Sequence, residues 1–223
     1  MAIENEKELD SILGAFDRAG FLPDVILIGS WCLSFYTRLF RGFDPSIRTT
    51  DIDFYVPDAK SANAALVSDN LHEINYDHFQ DTLTHKSRFV SPHGFEVEFL
   101  ARLNRDGLSC VRIGKSGIFA ESISYVDIFG TNFIEVEWNG KKVKVASPSA
   151  YAIQKMLIND RRKEKAEKDA ASIDYVLSFI RGSRKSSEDF YELFDRLPKK
   201  WQREIAKYLN RRKQEFPQRI VNK

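Results

Sequence analysis

A chain of 223 residues with 43% hydrophobic and 13% aromatic side chains can bury one good core or two small ones, which excludes a disordered protein. No apolar stretch approaches the roughly 18 residues that cross a bilayer, and the acidic, polar start MAIENEKELD is unlike a signal peptide, so the chain is expected to stay in the cytoplasm with no membrane partner. The formal charge is only +2 but unevenly divided: residues 1–154 hold 15 Lys+Arg and 21 Asp+Glu, a net of −6, while residues 155–223 hold 19 and 11, a net of +8.

That division fits two readings equally well: a basic, phosphate-facing wall beside a carboxylate site, or helical surfaces that are simply rich in Lys and Arg. Cys32 and Cys110 lie far apart with no Cys-x-x-Cys or Cys/His cluster, which argues against a zinc site or a disulfide framework and for two buried thiols.

In chain order, Ile3, Leu9, Ile12, Leu13 and Phe16 form the apolar stripe of a helix over residues 3–19, ended by Gly20. Val25 to Ile28 is a short buried strand, and Gly29-Ser30 turns out of it into a helix over about Trp31 to Phe40. Glycine there lets the backbone approach a ligand, and the unpaired N–H groups of a helix start favour an anion such as a phosphate. Taken alone, Gly-Ser is more often only a helix cap. Arg41 to Thr50 reads as a loop, and the next strand carries Asp51 and Asp53 before Pro57 closes it. Side chains alternate along a strand, so the two aspartates share one face while Ile52 and Phe54 enter a core. Two adjacent carboxylates repel unless a cation lies between them.

Ser61 to Leu71 reads as helical. His72, His78 and His85 follow at spacings that match no common ligand pattern and are read as surface residues. FEVEFL, residues 95–100, is a second strand with one acidic face. If it lies beside the first, Glu98 completes a set of three carboxylates, with Glu96 as the alternative. Asn104 to Ala120 reads as a loop with one short strand near Val111 to Ile113. Residues 133–146, FIEVEWNGKKVKVA, are a hairpin around Asn139-Gly140, the pair most favoured in a two-residue primed turn, with Glu135 and Glu137 on a solvated face.

Helical periodicity takes over at Ser147-Pro148-Ser149, a helix start with proline near its first position. Lys155 sits among Ile153, Met156 and Leu157 on a helix over Ala150 to Asn159, where a lysine usually snorkels to solvent. A densely charged stretch through Lys168 and Asp169 leads into packing residues from Ile173, Gly182 to Ser187 reads as a linker, and two helices follow, the last rich in Lys and Arg. The fold class expected is α+β: a mixed β-sheet with flanking helices over residues 1–146, then a basic helical domain over residues 147–223.

Gly29-Ser30, then Asp51-Ile52-Asp53, then an acid on a later strand resembles the polymerase-β-like nucleotidyltransferase superfamily, whose pattern is hG[GS], a helix, h[DE]h[DE]h and h[DE]h. The resemblance covers about residues 24–180. Pro148, Lys155, the arginines after it and Lys168-Asp169 look like the helical half of AbiEii-type nucleotidyltransferases, and the motif also resembles a GSWC-containing group of that superfamily. A departure from the AbiEii pattern is Ser172, where a second acid is usual; Asp174 follows two residues on. Arg48 and Thr49 look like that family's Arg and Thr/Ser, with Arg48 one residue closer to Asp51 than is common.

The resemblance implies a metal-dependent enzyme moving a nucleoside monophosphate from an NTP to a hydroxyl, with release of pyrophosphate. Asp51, Asp53 and Glu98 would hold Mg²⁺ or Mn²⁺, with Glu98 helping to take the acceptor proton. Gly29, Ser30, Arg48, Lys155, Lys168 and Asp169 would form the nucleotide side of the site. RNA or tRNA suits the basic half as acceptor, and a small hydroxylated molecule suits a compact cleft. The competing function is a non-catalytic binding module on the same fold, such as a toxin–antitoxin partner protein.

Overall fold

The computed structural model describes residues 2–40, 49–103, 107–159 and 166–219. The first helix, α1 (Ala2–Arg18), presents Leu9, Ile12, Leu13 and Phe16 at helical spacing to the core. Gly20, at φ +67, closes it in a Schellman arrangement, with Phe21 N–H donating to Phe16 O and Gly20 N–H to Asp17 O, both at 2.9 Å. Then come β1 (Ile26–Ile28), a tight turn at Gly29–Trp31, α2 (Cys32–Leu39) and β2 (Asp51–Tyr55). The next group is α3 (Val67–Glu73), β3 (Asp77–Gln80), β4 (Ser87–Val90), β5 (Glu96–Arg102), β6 (Cys110–Arg112) and β7 (Phe119–Ile123). The hairpin is β8 (Phe133–Trp138) and β9 (Lys141–Ala146), and α4 (Pro148–Ile158), α5 (Ala166–Arg181), α6 (Arg184–Arg196) and α7 (Lys199–Arg211) complete the chain.

The strands form one mixed sheet in the order β3-β4-β5-β2-β1-β9-β8, with β7 paired to the end of β5 and β6 to β7. This places β2 at the centre, antiparallel to β1 on one side and parallel to β5 on the other. Ile52, Phe54, Val97 and Phe99 are fully buried on one face, and Phe16 of α1 packs on them, its ring 4.9 Å from Phe54 and 5.8 Å from Phe99. Alternation therefore sends Asp51, Asp53, Glu96 and Glu98 to the opposite face. There α4 carries a run of buried residues from Ser149 to Leu157. A helix buried on nearly every side belongs inside a protein rather than on its surface. Ser147 caps it, its hydroxyl accepting from Ala150 N–H at 3.2 Å, with Pro148 as first helical residue. Among the described residues no helix is long and apolar enough to cross a membrane.

The mixed α/β architecture is the one the sequence implies, and the hairpin closes around Asn139 (φ 48) and Gly140 (φ 78), the left-handed pair a primed turn needs. Several local expectations are corrected. The helix expected over Ser61 to Leu71 begins only at Val67, because backbone groups upstream bond across the fold: Asn63 N–H to Asp24 Oδ2 and Gly114 N–H to Ala59 O, both at 2.7 Å. The loop expected through Ala120 contains the start of β7 as well as β6. The linker expected over Gly182 to Ser187 shrinks, since the Ser183 hydroxyl accepts from Ser186 N–H and starts α6 at Arg184. Cys32 is buried, but Cys110 only half so. His72, His78 and His85 are all exposed, as expected.

Candidate active site

The register of β2 against β5 pairs Asp51 with Glu96 and Asp53 with Glu98, while Ile28 at the end of β1 pairs with Asp53 from the other side. The residue after Ile28 must therefore turn directly beside a carboxylate. Gly29 does so at φ +71, and a Cβ built there would overlap the Asp53 carboxylate. Only glycine meets both demands, a left-handed backbone and the absence of a side chain.

Two cavities open on this acidic face and share Asp53, Glu98 and Lys155. The smaller, about 100 Å³, is polar and is lined also by Ser30, Thr49, Asp51, Lys168 and Asp169. The larger, about 360 Å³, runs over Ile28, Leu100, Ile123 and Ile158 toward Glu121. The structure thus brings Gly29, Ser30, Asp51, Asp53, Glu98, Lys155, Lys168 and Asp169 into one cleft, from five separated parts of the chain. Arg48 lies outside the described residues. Of the two glutamates on β5, Glu98 lines both cavities, whereas Glu96 lies 3.4 Å from Arg88 Nη1 and lines neither.

Lys155 corrects the expectation that it snorkels. It is 5% exposed on α4, and its Nζ lies 2.8 Å from Asp169 Oδ1 on α5. A charge held that far from water needs a partner, and the pair ties the two helices together at the cleft wall. Beneath the site, Cys32 is fully buried; burial pushes its thiol up to about 12, and the nearby Asp53 carboxylate acts in the same direction. It is a packing residue, with no thiolate at neutral pH.

Lys86, just before β4, and Glu121, on β7, went unread in the sequence. Lys86 Nζ lies 2.8 Å from both Glu98 Oε1 and Glu121 Oε2. Burial disfavours its charge, but the bonds to Glu121 and Glu98 outweigh burial and hold its pKa above the ordinary lysine value. Among the described residues no group of three or more His, Cys, Asp or Glu side chains converges as a metal site. The oxygen-only donors Asp51 and Asp53, on one strand face, suit a hard divalent cation, and Glu98 stands in register with Asp53 on the neighbouring strand.

A family model described as a nucleotidyltransferase matches residues 7–193. No curated protein matches the sequence. Among solved structures, the solution structure of the antibiotic-resistance factor ANT(2'')-Ia is similar with a TM-score of 0.54 at 11% identity, over 96% of this chain and 95% of that one. A crystal structure of ANT(2'')-Ia in complex with adenylyl-2''-tobramycin gives 0.52 at 13% identity, over 93% and 98%. An antigenic nucleotidyltransferase-like protein from Paracoccidioides brasiliensis gives 0.47 at 16% identity, over 91% and 93%. At these identities the two ANT(2'')-Ia structures show a shared fold.

Proposed function

Because the chain belongs to the nucleotidyltransferase family, we propose that it moves a nucleoside monophosphate from an NTP to a hydroxyl group on a small acceptor molecule. The observation that carries this is the register that sets Asp53 beside Glu98, with Gly29 turning against the same carboxylate. Gly29 and Ser30 hold the terminal phosphates through backbone N–H groups and a hydroxyl, and Lys168 adds positive charge from the rim of the smaller cavity. Glu98 accepts the proton of the acceptor hydroxyl; that oxygen attacks the α-phosphorus, and the bond to pyrophosphate breaks on the opposite side. Asp51, Asp53 and Glu98 are the residues to hold Mg²⁺ or Mn²⁺, which when bound neutralises charge on the entering and departing oxygens.

The larger cavity supports a small acceptor over RNA: about 360 Å³ with an apolar floor lies within the range of small-molecule sites. In this reading residues 1–146 form the catalytic α/β domain and residues 147–223 the helical domain, with Lys155, Lys168 and Asp169 on the nucleotide side of the site, as the resemblance to AbiEii-type proteins implies. The test is incubation with each α-labelled NTP and Mg²⁺ or Mn²⁺, offering a panel of hydroxylated small molecules, total RNA and the protein itself. Label should move to a small molecule in the wild type and not in Asp51→Ala or Asp53→Ala. Unchanged turnover in either variant contradicts the proposal, and transfer to RNA, with binding that weakens steeply as salt rises, replaces the acceptor. The Lys86–Glu98 ion pair favours a second reading, a binding module without turnover, in which NTP binds but no label moves in any combination.

A further inference from the structure

Glu98 has two competing partners. It stands in register beside Asp53, yet its Oε1 is bonded to the Lys86 ammonium at 2.8 Å, and in that arrangement the described carboxylates do not converge as a metal site. Lys86 also holds a second carboxylate at the same distance, Glu121 on β7. A lysine with two carboxylate partners can surrender one and remain paired, so releasing Glu98 leaves no isolated charge behind. The pair is also accessible, with the Lys86 and Glu98 side chains 25% and 20% exposed. A pair that water reaches is also within reach of a divalent cation, whose double charge attracts a carboxylate more strongly than a single ammonium does at the same distance.

We propose that Lys86 is the positioning residue of the third carboxylate: its ammonium holds Glu98 against Glu121 until a divalent cation at Asp51 and Asp53 takes Glu98 over. Glu121 keeps the ammonium when Glu98 leaves. This rests on the reading of the site as a metal-dependent nucleotidyltransferase.

The test is Mn²⁺ binding without nucleotide, followed by the electron paramagnetic resonance of free Mn²⁺, on the wild type, Lys86→Met, Glu98→Gln and the double variant. Lys86→Met should tighten Mn²⁺ binding about tenfold, the scale of coupling between side chains in direct contact, and the gain should vanish in the Glu98→Gln background. Unchanged or weaker binding by Lys86→Met overturns the proposal. So does an equal gain in both backgrounds, which would make Lys86 only a nearby positive charge. Asp51→Asn separates this from the parent reading: Mn²⁺ binding that Asp51→Asn abolishes but Lys86→Met leaves unchanged sinks the inference alone, whereas no Asp51-dependent binding sinks both. Should Lys86→Met fail to fold, the wild type itself decides. Saturating Mg²⁺ should shift the Lys86 Nζ resonance in ¹⁵N NMR as Glu98 departs, and a resonance that does not move overturns the proposal.

Discussion

FEVEFL of β5 and FIEVEW of β8 share one alternation of apolar residue and glutamate, yet one faces a cleft and the other water. β5 lies between β2 and β4, so its acidic face stands beside Asp51 and Asp53 and opposite Lys155 of α4. β8 ends the strand order, and its Glu135 and Glu137 are exposed, paired across the hairpin with Lys144 and Lys142. The sequence pattern is the same; the neighbours differ. A carboxylate becomes a candidate catalyst when the sheet sets it beside other carboxylates in a cleft, and it remains a solvated surface group when it stands exposed on the last strand of the sheet.

The largest expected effect lies at Lys155. Lys155→Met removes the ammonium 2.8 Å from the buried Asp169 carboxylate, so chemical denaturation should show a loss of up to about 3–5 kcal/mol, the usual cost of removing one partner of a buried ion pair. Lys155→Met with Asp169→Leu should recover much of it; a single variant as stable as the wild type would place the pair in water after all. Next come two glycines at similar positive φ, Gly29 at the cleft and Gly140 in the hairpin. Alanine costs about 1–2 kcal/mol at either for its left-handed backbone, but only at position 29 does its methyl meet the Asp53 carboxylate. Gly29→Ala should therefore lower the melting temperature more than Gly140→Ala and alone weaken nucleotide binding. Equal losses would break the contrast.

A smaller effect separates the two thiols. Cys32 is raised to about 12 in the fold, above the ordinary thiol value near 8.5. Because the folded value is the higher one, its contribution to stability is complete below about pH 8.5 and is lost as pH rises toward 12. Cys32→Ala should flatten the alkaline part of the stability curve, and at pH 8 a thiol reagent should modify Cys110 of the folded protein well before Cys32. Fast modification of both would show the floor of the site to be open.

How much was legible in the sequence follows from range. The Asn139-Gly140 turn, the stripe of α1 and the shared face of Asp51 and Asp53 depend on neighbours a few residues away, and each is found where the pattern puts it. Lys155 was misjudged because the carboxylate that keeps it inside is fourteen residues on, on another helix. Glu121 was missed because the β7 sequence FAESI has no regular alternation of apolar and polar residues, and the loop expected over Asn104 to Ala120 covers its first two positions. β3 carries almost no sequence signal, since all four of its residues are exposed at the edge of the sheet. Lys86 has no motif at all, and its position matters only through two glutamates brought to it by the fold.

The contrast between β5 and β8 meets its most direct test in transfer from α-labelled NTP by two variants, Glu98→Gln and the double substitution Glu135→Gln/Glu137→Gln. Glu98→Gln should lose turnover by roughly a hundredfold or more, the scale of a positioned acid–base group, while the hairpin variant keeps wild-type turnover and stability to within about 0.5 kcal/mol. Comparable turnover in the two variants would contradict the assignment of the acidic face of β5 to the reaction.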